Sequence, residues 1–69
     1  MYMEFVELRN LRLKAGYSLE DMSNKLGVSK AYYWQLENGG RRLYYFLAVE
    51  IAKIFNKKPD EIFYEYFID

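Results

Sequence analysis

Residues 18–39, SLEDMSNKLGVSKAYYWQLENG, leave this chain few ways to fold. Ser18 with Asp21 three residues later is a capping box, a start signal for a helix. Met22, Ser23 and Leu26 fall on one side of that helix. Gly27 then ends it, because a residue without Cβ accepts the left-handed backbone that a helix terminus uses. Ser29 caps a second helix, in which Tyr33 and Leu36, three apart, turn inward. Lys30, Ala31, Trp34, Gln35 and Asn38 occupy its opposite face. A small residue in the first helix, a Gly at the turn and two inward apolar residues in the second let the two helices cross closely. The second is then free to present a mixed polar face.

The other breakers, Gly16, Gly39-Gly40 and Pro59, divide the chain into five helical segments. They span about 3–14, with Leu8 and Leu11 inward, then 19–26, 30–38, 44–56, and Pro59 to about Tyr66. On the fourth, Tyr45, Ala48, Ala52 and Phe55 recur at helical spacing and predict the inward face. Pro59 is a favoured first helical residue, and Asp60 and Glu61 complement the helix dipole. FYEYFI at 63–68 alternates enough to fit a short strand as well. No linker or repeat interrupts the 69 residues, so residues 1–69 form one domain, with 63–69 as a candidate dimerisation tail. A domain of this size buries only about 60% of its unfolded surface. With no Cys and no His, neither disulfides nor a zinc site adds to its stability.

Eight Tyr, five Phe and one Trp are more aromatic side chains than so small a core holds, which places some at an interface. No run of 18 apolar residues is present to span a membrane, and the acidic MYMEFVELR is not a secretion signal. The chain has no thiol or imidazole for nucleophilic or acid–base work, and it is not expected to be an enzyme. Glu20-Asp21 and Asp60-Glu61 read as helix-start charges, and Gly39-Gly40 fits no phosphate-loop pattern. The zero net charge conceals a division. All ten basic residues lie between Arg9 and Lys58, a span with only four acids, Glu20, Asp21, Glu37 and Glu50. The other acids sit toward the two ends, so the middle of the chain can present a positive face.

A free helix face above a tight turn suits the major groove of DNA, about 12 Å wide. At residues 18–39 the chain resembles a helix-turn-helix of the phage repressor and Cro type, the xenobiotic-response-element family. The likeness extends to LRNLR at 8–12, ENG at 37–39, EIAKIF at 50–55 and PDEIF at 59–63, in that family's order and spacing. It implies an all-α, compact five-helix bundle, lambda-repressor-like, with helices two and three as the helix-turn-helix. Two positions depart from the pattern. Leu19 stands where the family usually has a phosphate-contacting Gln, and Leu43-Tyr44 where it often has Pro-Ser. Leu19 can donate no such contact.

Lys30, Ala31 and Gln35 are the base-reading candidates, on the part of the helix that meets base edges in this motif. Gln can pair with adenine, Lys can bond guanine and an Ala methyl can touch thymine. Trp34, also a base-reading candidate, either packs on thymine methyls and the sugar-phosphate edge or folds back over Tyr32. Ser18, Tyr32, Asn38, Gly40, Arg41 and Arg42 are phosphate candidates, with Gly39-Gly40 offering free amides and the Arg pair charge. The resemblance also implies a buried structural ion pair between Arg12 and Glu37. Leu47, Ile51 and Ile54 form a second apolar stripe on helix four; with Phe63, Tyr66, Phe67 and Ile68 they are the candidate dimer surface.

The resemblance implies a sequence-specific DNA-binding transcriptional regulator that places helix 30–38 in the major groove as a homodimer on a palindromic operator. Its partners would be double-stranded DNA and, second, a regulatory protein; no cofactor, metal or membrane is expected. Such proteins are cytoplasmic, bacterial or phage-encoded, and associated with DNA. The alternative is a protein-interaction module, antitoxin- or antirepressor-like, that keeps this scaffold and binds a protein through its aromatic surface.

Overall fold

The computed structural model describes residues 3–67. Five helices follow one another: α1 Val6–Ala15, α2 Leu19–Leu26, α3 Lys30–Glu37, α4 Tyr45–Ile54 and α5 Pro59–Phe67. No strand forms among the described residues, and 63–67 is helical with a kink at Phe63. No described helix is long and apolar enough to cross a membrane.

Local chemistry fixes most boundaries. Ser18 Oγ accepts the Asp21 N–H at 2.9 Å and Asp21 Oδ2 accepts the Ser18 N–H at 2.8 Å, closing the capping box. These bonds favour the charged carboxylate and lower the Asp21 pKa. Ser29 Oγ accepts the Tyr32 N–H at 3.0 Å and starts α3. Gly27 takes φ +71° so that its own N–H and that of Val28 turn back to Asn24 and Ser23. Gly39, at φ +81°, ends α3 in the same way, with its N–H on Leu36 O and that of Gly40 on Gln35 O. Each is the two-bond helix stop that places a glycine in the left-handed region.

Two ends differ from expectation. α1 begins at Val6 because the Phe5 N–H is bonded to Glu37 O at 3.0 Å, which pins the preceding backbone outside the helix. α4 stops at Ile54 because Asn56 takes φ +55° and the Asn56 and Lys57 amides turn back to Lys53 and Ala52.

The core joins all five helices: Leu8 of α1, Met22 of α2, Tyr33 and Leu36 of α3, Leu47, Ala48, Ile51 and Ala52 of α4, and Ile62 and Phe63 of α5. Phe5 closes one end with its ring edge-on to Phe63 and Tyr66, at 5.1 and 5.3 Å between centroids. This packing corrects the expected face of α4. Ala48 and Ala52 point inward, but Tyr45 is exposed and Phe55 only half-buried, while Leu47 and Ile51 are core residues. Leu47, Ile51 and Phe63 therefore offer no surface to a dimer partner. Tyr66 is half-buried, its hydroxyl accepting the Leu43 N–H at 3.3 Å, and Ile54 is half-buried against the core. Of the candidate dimer residues only Phe67 is exposed, and Ile68 lies outside the described residues.

Gly27→Ala isolates the turn between α2 and α3. A Cβ there meets no atom within 4 Å, so the change adds only the strain of a left-handed backbone, about 1–2 kcal/mol. Urea denaturation should show that loss, and an unchanged midpoint would mean that the turn tolerates a side chain.

Candidate nucleic-acid interface

α3 is seated by the carboxylate at its last residue. Glu37 is 1% exposed. Arg12 Nε donates to its Oε2 at 2.8 Å and Arg12 Nη2 to its Oε1 at 3.0 Å, a two-pronged pair. Tyr33 Oη donates to Oε2 at 2.8 Å, and Arg9 Nε stands 3.6 Å from Oε1. Arg12 also caps the Tyr17 carbonyl through Nη1 at 3.1 Å. Donating to the Glu37 carboxylate raises the Arg12 pKa further. Burial first, and the nearby carboxylate second, push the Tyr33 hydroxyl well above its ordinary value, so it stays a donor. No buried side-chain polar atom among the described residues lacks a partner. Arg9, which the sequence did not single out, extends this network, pairing with Glu4 and donating to Asn38 Oδ1 at 3.0 Å.

With Tyr33, Leu36 and Glu37 facing in, the other side of α3 is free. Lys30 and Ala31 are exposed on its first turn, Trp34 is 53% exposed and Gln35 is half-buried. Trp34 does not cover Tyr32. The Arg41 guanidinium does, 4.5 Å from the ring centre, and its Nε donates to Gln35 Oε1 at 2.8 Å. Arg42 lies 5.3 Å over the ring of Tyr44. Tyr32, Gly40, Arg41, Arg42 and Tyr44 thus line one shallow hollow beside the outer face of α3. Tyr44 was missed in the sequence; the signal was an aromatic two residues beyond an Arg pair.

Among the phosphate candidates, Ser18 is exposed and keeps its hydroxyl proton, since its oxygen is the acceptor of the cap. Asn38 is engaged on both sides of its amide, accepting from Arg9 and donating to Trp34 O at 2.9 Å. Gly40 is corrected. Its N–H is bonded to Gln35 O at 2.6 Å and that of Gly39 to Leu36 O at 3.3 Å, so neither amide is free for a phosphate. Leu19, the departure from the family pattern, packs against the core.

Folding also sorts the charges. Glu4 and Glu7 before and at the start of α1 come together with Glu61 and Glu65 of α5 along a single cleft. These four acids share that face, while Arg41 and Arg42 stand beside α3. A neutral chain can then carry a local positive potential.

The sequence model of the helix-turn-helix family matches residues 8–62. The chain belongs to this family, in its Cro/C1 or xenobiotic-response-element branch. Its structure is similar to that of the restriction-modification controller protein C.AhdI from Aeromonas hydrophila. The identity is 28% and the TM-score 0.75, over 83% of this chain and 86% of that one. The fold is also that of the clp gene regulator ClgR from Corynebacterium glutamicum, at 22% identity and TM-score 0.77. That match takes in 87% of this chain and 64% of ClgR. No curated protein matches the sequence.

Arg12→Met strands the Glu37 charge in the interior, which costs about 3–5 kcal/mol. A small domain often has little more than about 5 kcal/mol in total, so denaturant melting should find this variant largely unfolded at 37 °C. Tyr33→Phe, which removes one donor and keeps the ion pair, should cost about 1–3 kcal/mol. A loss below 1 kcal/mol for Arg12→Met would show that Glu37 finds other donors.

Proposed function

We propose that this member of the helix-turn-helix family is a sequence-specific DNA-binding transcriptional regulator that reads the major groove with α3. The observation that carries this reading is the free outer face of α3, held from behind by the Glu37 ion pair and flanked by Arg41 and Arg42. Lys30, Ala31 and Gln35 supply groove-facing chemistry, with Trp34 alongside, exposed and stacked on no aromatic ring among the described residues. Ser18, Tyr32, Arg41, Arg42 and Tyr44 are suited to the sugar-phosphate backbone. Phosphate contacts set register and orientation, and base contacts set sequence.

The reading includes a dimer. A two-fold pair would place two recognition helices about 34 Å apart, one turn of DNA. The apolar side chains left outside the core supply its surface: Tyr45 and Phe46 at the start of α4, and Tyr64 and Phe67 on α5. Tyr45 and Phe67 already pack edge to face across the two helices, 5.6 Å between centroids. Phe46, 77% exposed, is also what favours the second reading, a module that binds another protein. Gel shifts with the DNA flanking its own gene separate the two, since a protein-binding module retards none of it.

Two measurements follow from this arrangement. Each neutralised phosphate contributes about 0.9 to the slope of log affinity against log salt. Arg42→Ala should weaken binding to all sequences alike and make that slope shallower by about one unit; an unchanged slope would place Arg42 away from DNA. Sedimentation should find dimers on DNA and at high micromolar concentration in its absence. Monomers under both conditions would remove the dimer from this reading.

A further inference from the structure

Gln35, the amide on the free face of α3, is held by the loop that follows. Its Oε1 accepts the Arg41 Nε–H at 2.8 Å. Arginine carries only donors, so it is the amide oxygen that faces the guanidinium. Two further restraints keep Arg41 in place. Its guanidinium stacks on the Tyr32 ring at 4.5 Å, and the Gly40 N–H bonded to Gln35 O at 2.6 Å brings the chain back to the helix immediately before it. That return is tight, since a Cβ on Gly40 would lie 3.3 Å from the Gln35 carbonyl oxygen.

We propose that Arg41 determines base specificity: with its guanidinium on Gln35 Oε1 it weakens that oxygen as an acceptor in the groove and turns the preference of the Gln35 amide from adenine to guanine. Bidentate pairing with adenine uses both ends of the amide, the oxygen for the N6 amino group and the nitrogen for N7. Arg41 takes one of the two lone pairs of that oxygen and sets a positive guanidinium beside the other, which disfavours a second donor there and leaves the Nε2 hydrogens as the unhindered groups for the groove. Guanine presents two acceptors, O6 and N7, on its major-groove edge and is the base that matches a pair of donors. The Nη groups of Arg41 are donors as well, so the clasp adds donors and positive charge, which guanine O6 and N7 match and the adenine N6 amino group does not. The inference rests on the DNA reading of α3 given above and revises the adenine contact that a Gln on this face would otherwise make.

The test selects bound sites from a random-sequence duplex pool with wild type, Arg41→Ala and Gln35→Ala, and measures affinities for the selected sites and their single-base variants. Arg41 is exposed and Gln35 lies outside the core, so both variants keep the fold. The wild type should select guanine at one half-site position, and Gln35→Ala should lose that preference alone. In Arg41→Ala the freed oxygen should move the same position toward adenine, the adenine-to-guanine affinity ratio rising about tenfold or more, the scale of one good bidentate base contact. A ratio within one variant cancels the general affinity lost with the Arg41 charge. Adenine chosen by the wild type at the Gln35-dependent position, or an unmoved ratio in Arg41→Ala, overturns the inference and leaves the DNA reading intact. A wild type that enriches no sequence overturns the DNA reading and the inference with it. In the DNA-free protein, the Arg41 Nε–H should exchange slowly with solvent and lose that protection in Gln35→Ala; no protection in the wild type would overturn the clasp by itself.

Discussion

The Glu37 carboxylate sits inside the protein at the end of α3, the helix with the freest face, and it depends on Arg12 and Tyr33 to be there. An ion buried without partners costs several kcal/mol, and a paired one adds little net stability over an apolar replacement. The pair is therefore better understood as a positional constraint than as a source of stability. Arg12 is a residue of α1, Tyr33 and Glu37 are residues of α3, and the Arg12 bond to Tyr17 O reaches the α1–α2 connection. A bidentate guanidinium admits few relative orientations. It sets the angle at which α3 crosses the rest of the bundle, which the apolar contacts of Leu36 and Met22 would fix less sharply.

The same residue joins the other side of the fold to this arrangement. The Phe5 amide bonds the Glu37 carbonyl, and the Phe5 ring fills the space beside Phe63 and Tyr66 of α5. Arg9 continues from Glu37 to Asn38, the residue that ends α3. The inner side of α3 is thus held by charge and hydrogen bonds at its end and by packing along its length, while on its outer side Lys30, Ala31 and Trp34 are exposed and Gln35 is held only by Arg41 of the following loop. That asymmetry is what a helix needs to enter a groove without changing its seat.

Much of this was legible in the residues. Ser18 with Asp21, Gly27 and Ser29 mark helix ends by local chemistry that needs no tertiary structure, and the structure keeps each of them. Tyr33 and Leu36 stand three apart on a helix whose opposite face carries Lys30 and Gln35, so their spacing reveals the inward face. α4 was harder because YFLAVEIAKI is apolar nearly all round and its periodicity is ambiguous. Glu50 and Lys53 were the usable marks. They lie on the row of Phe46, which is outward, and leave Leu47, Ala48, Ile51 and Ala52 inward. The start of α1 depends on a bond from Phe5 to a residue far along the chain, and no local pattern contains it. The Gln35–Arg41 clasp was hidden for a related reason: the two residues meet only because the stop after α3 folds the chain back on itself.

The central claim is that α3 enters the major groove. Methylation interference tests it most directly, because dimethyl sulfate modifies guanine N7 on the major-groove edge and adenine N3 on the minor-groove edge. Binding should be blocked by guanine N7 methylation in two clusters whose centres lie about 10 base pairs apart, one per half-site. Interference confined to adenine N3, or none at either position in DNA that the protein binds, would contradict the claim.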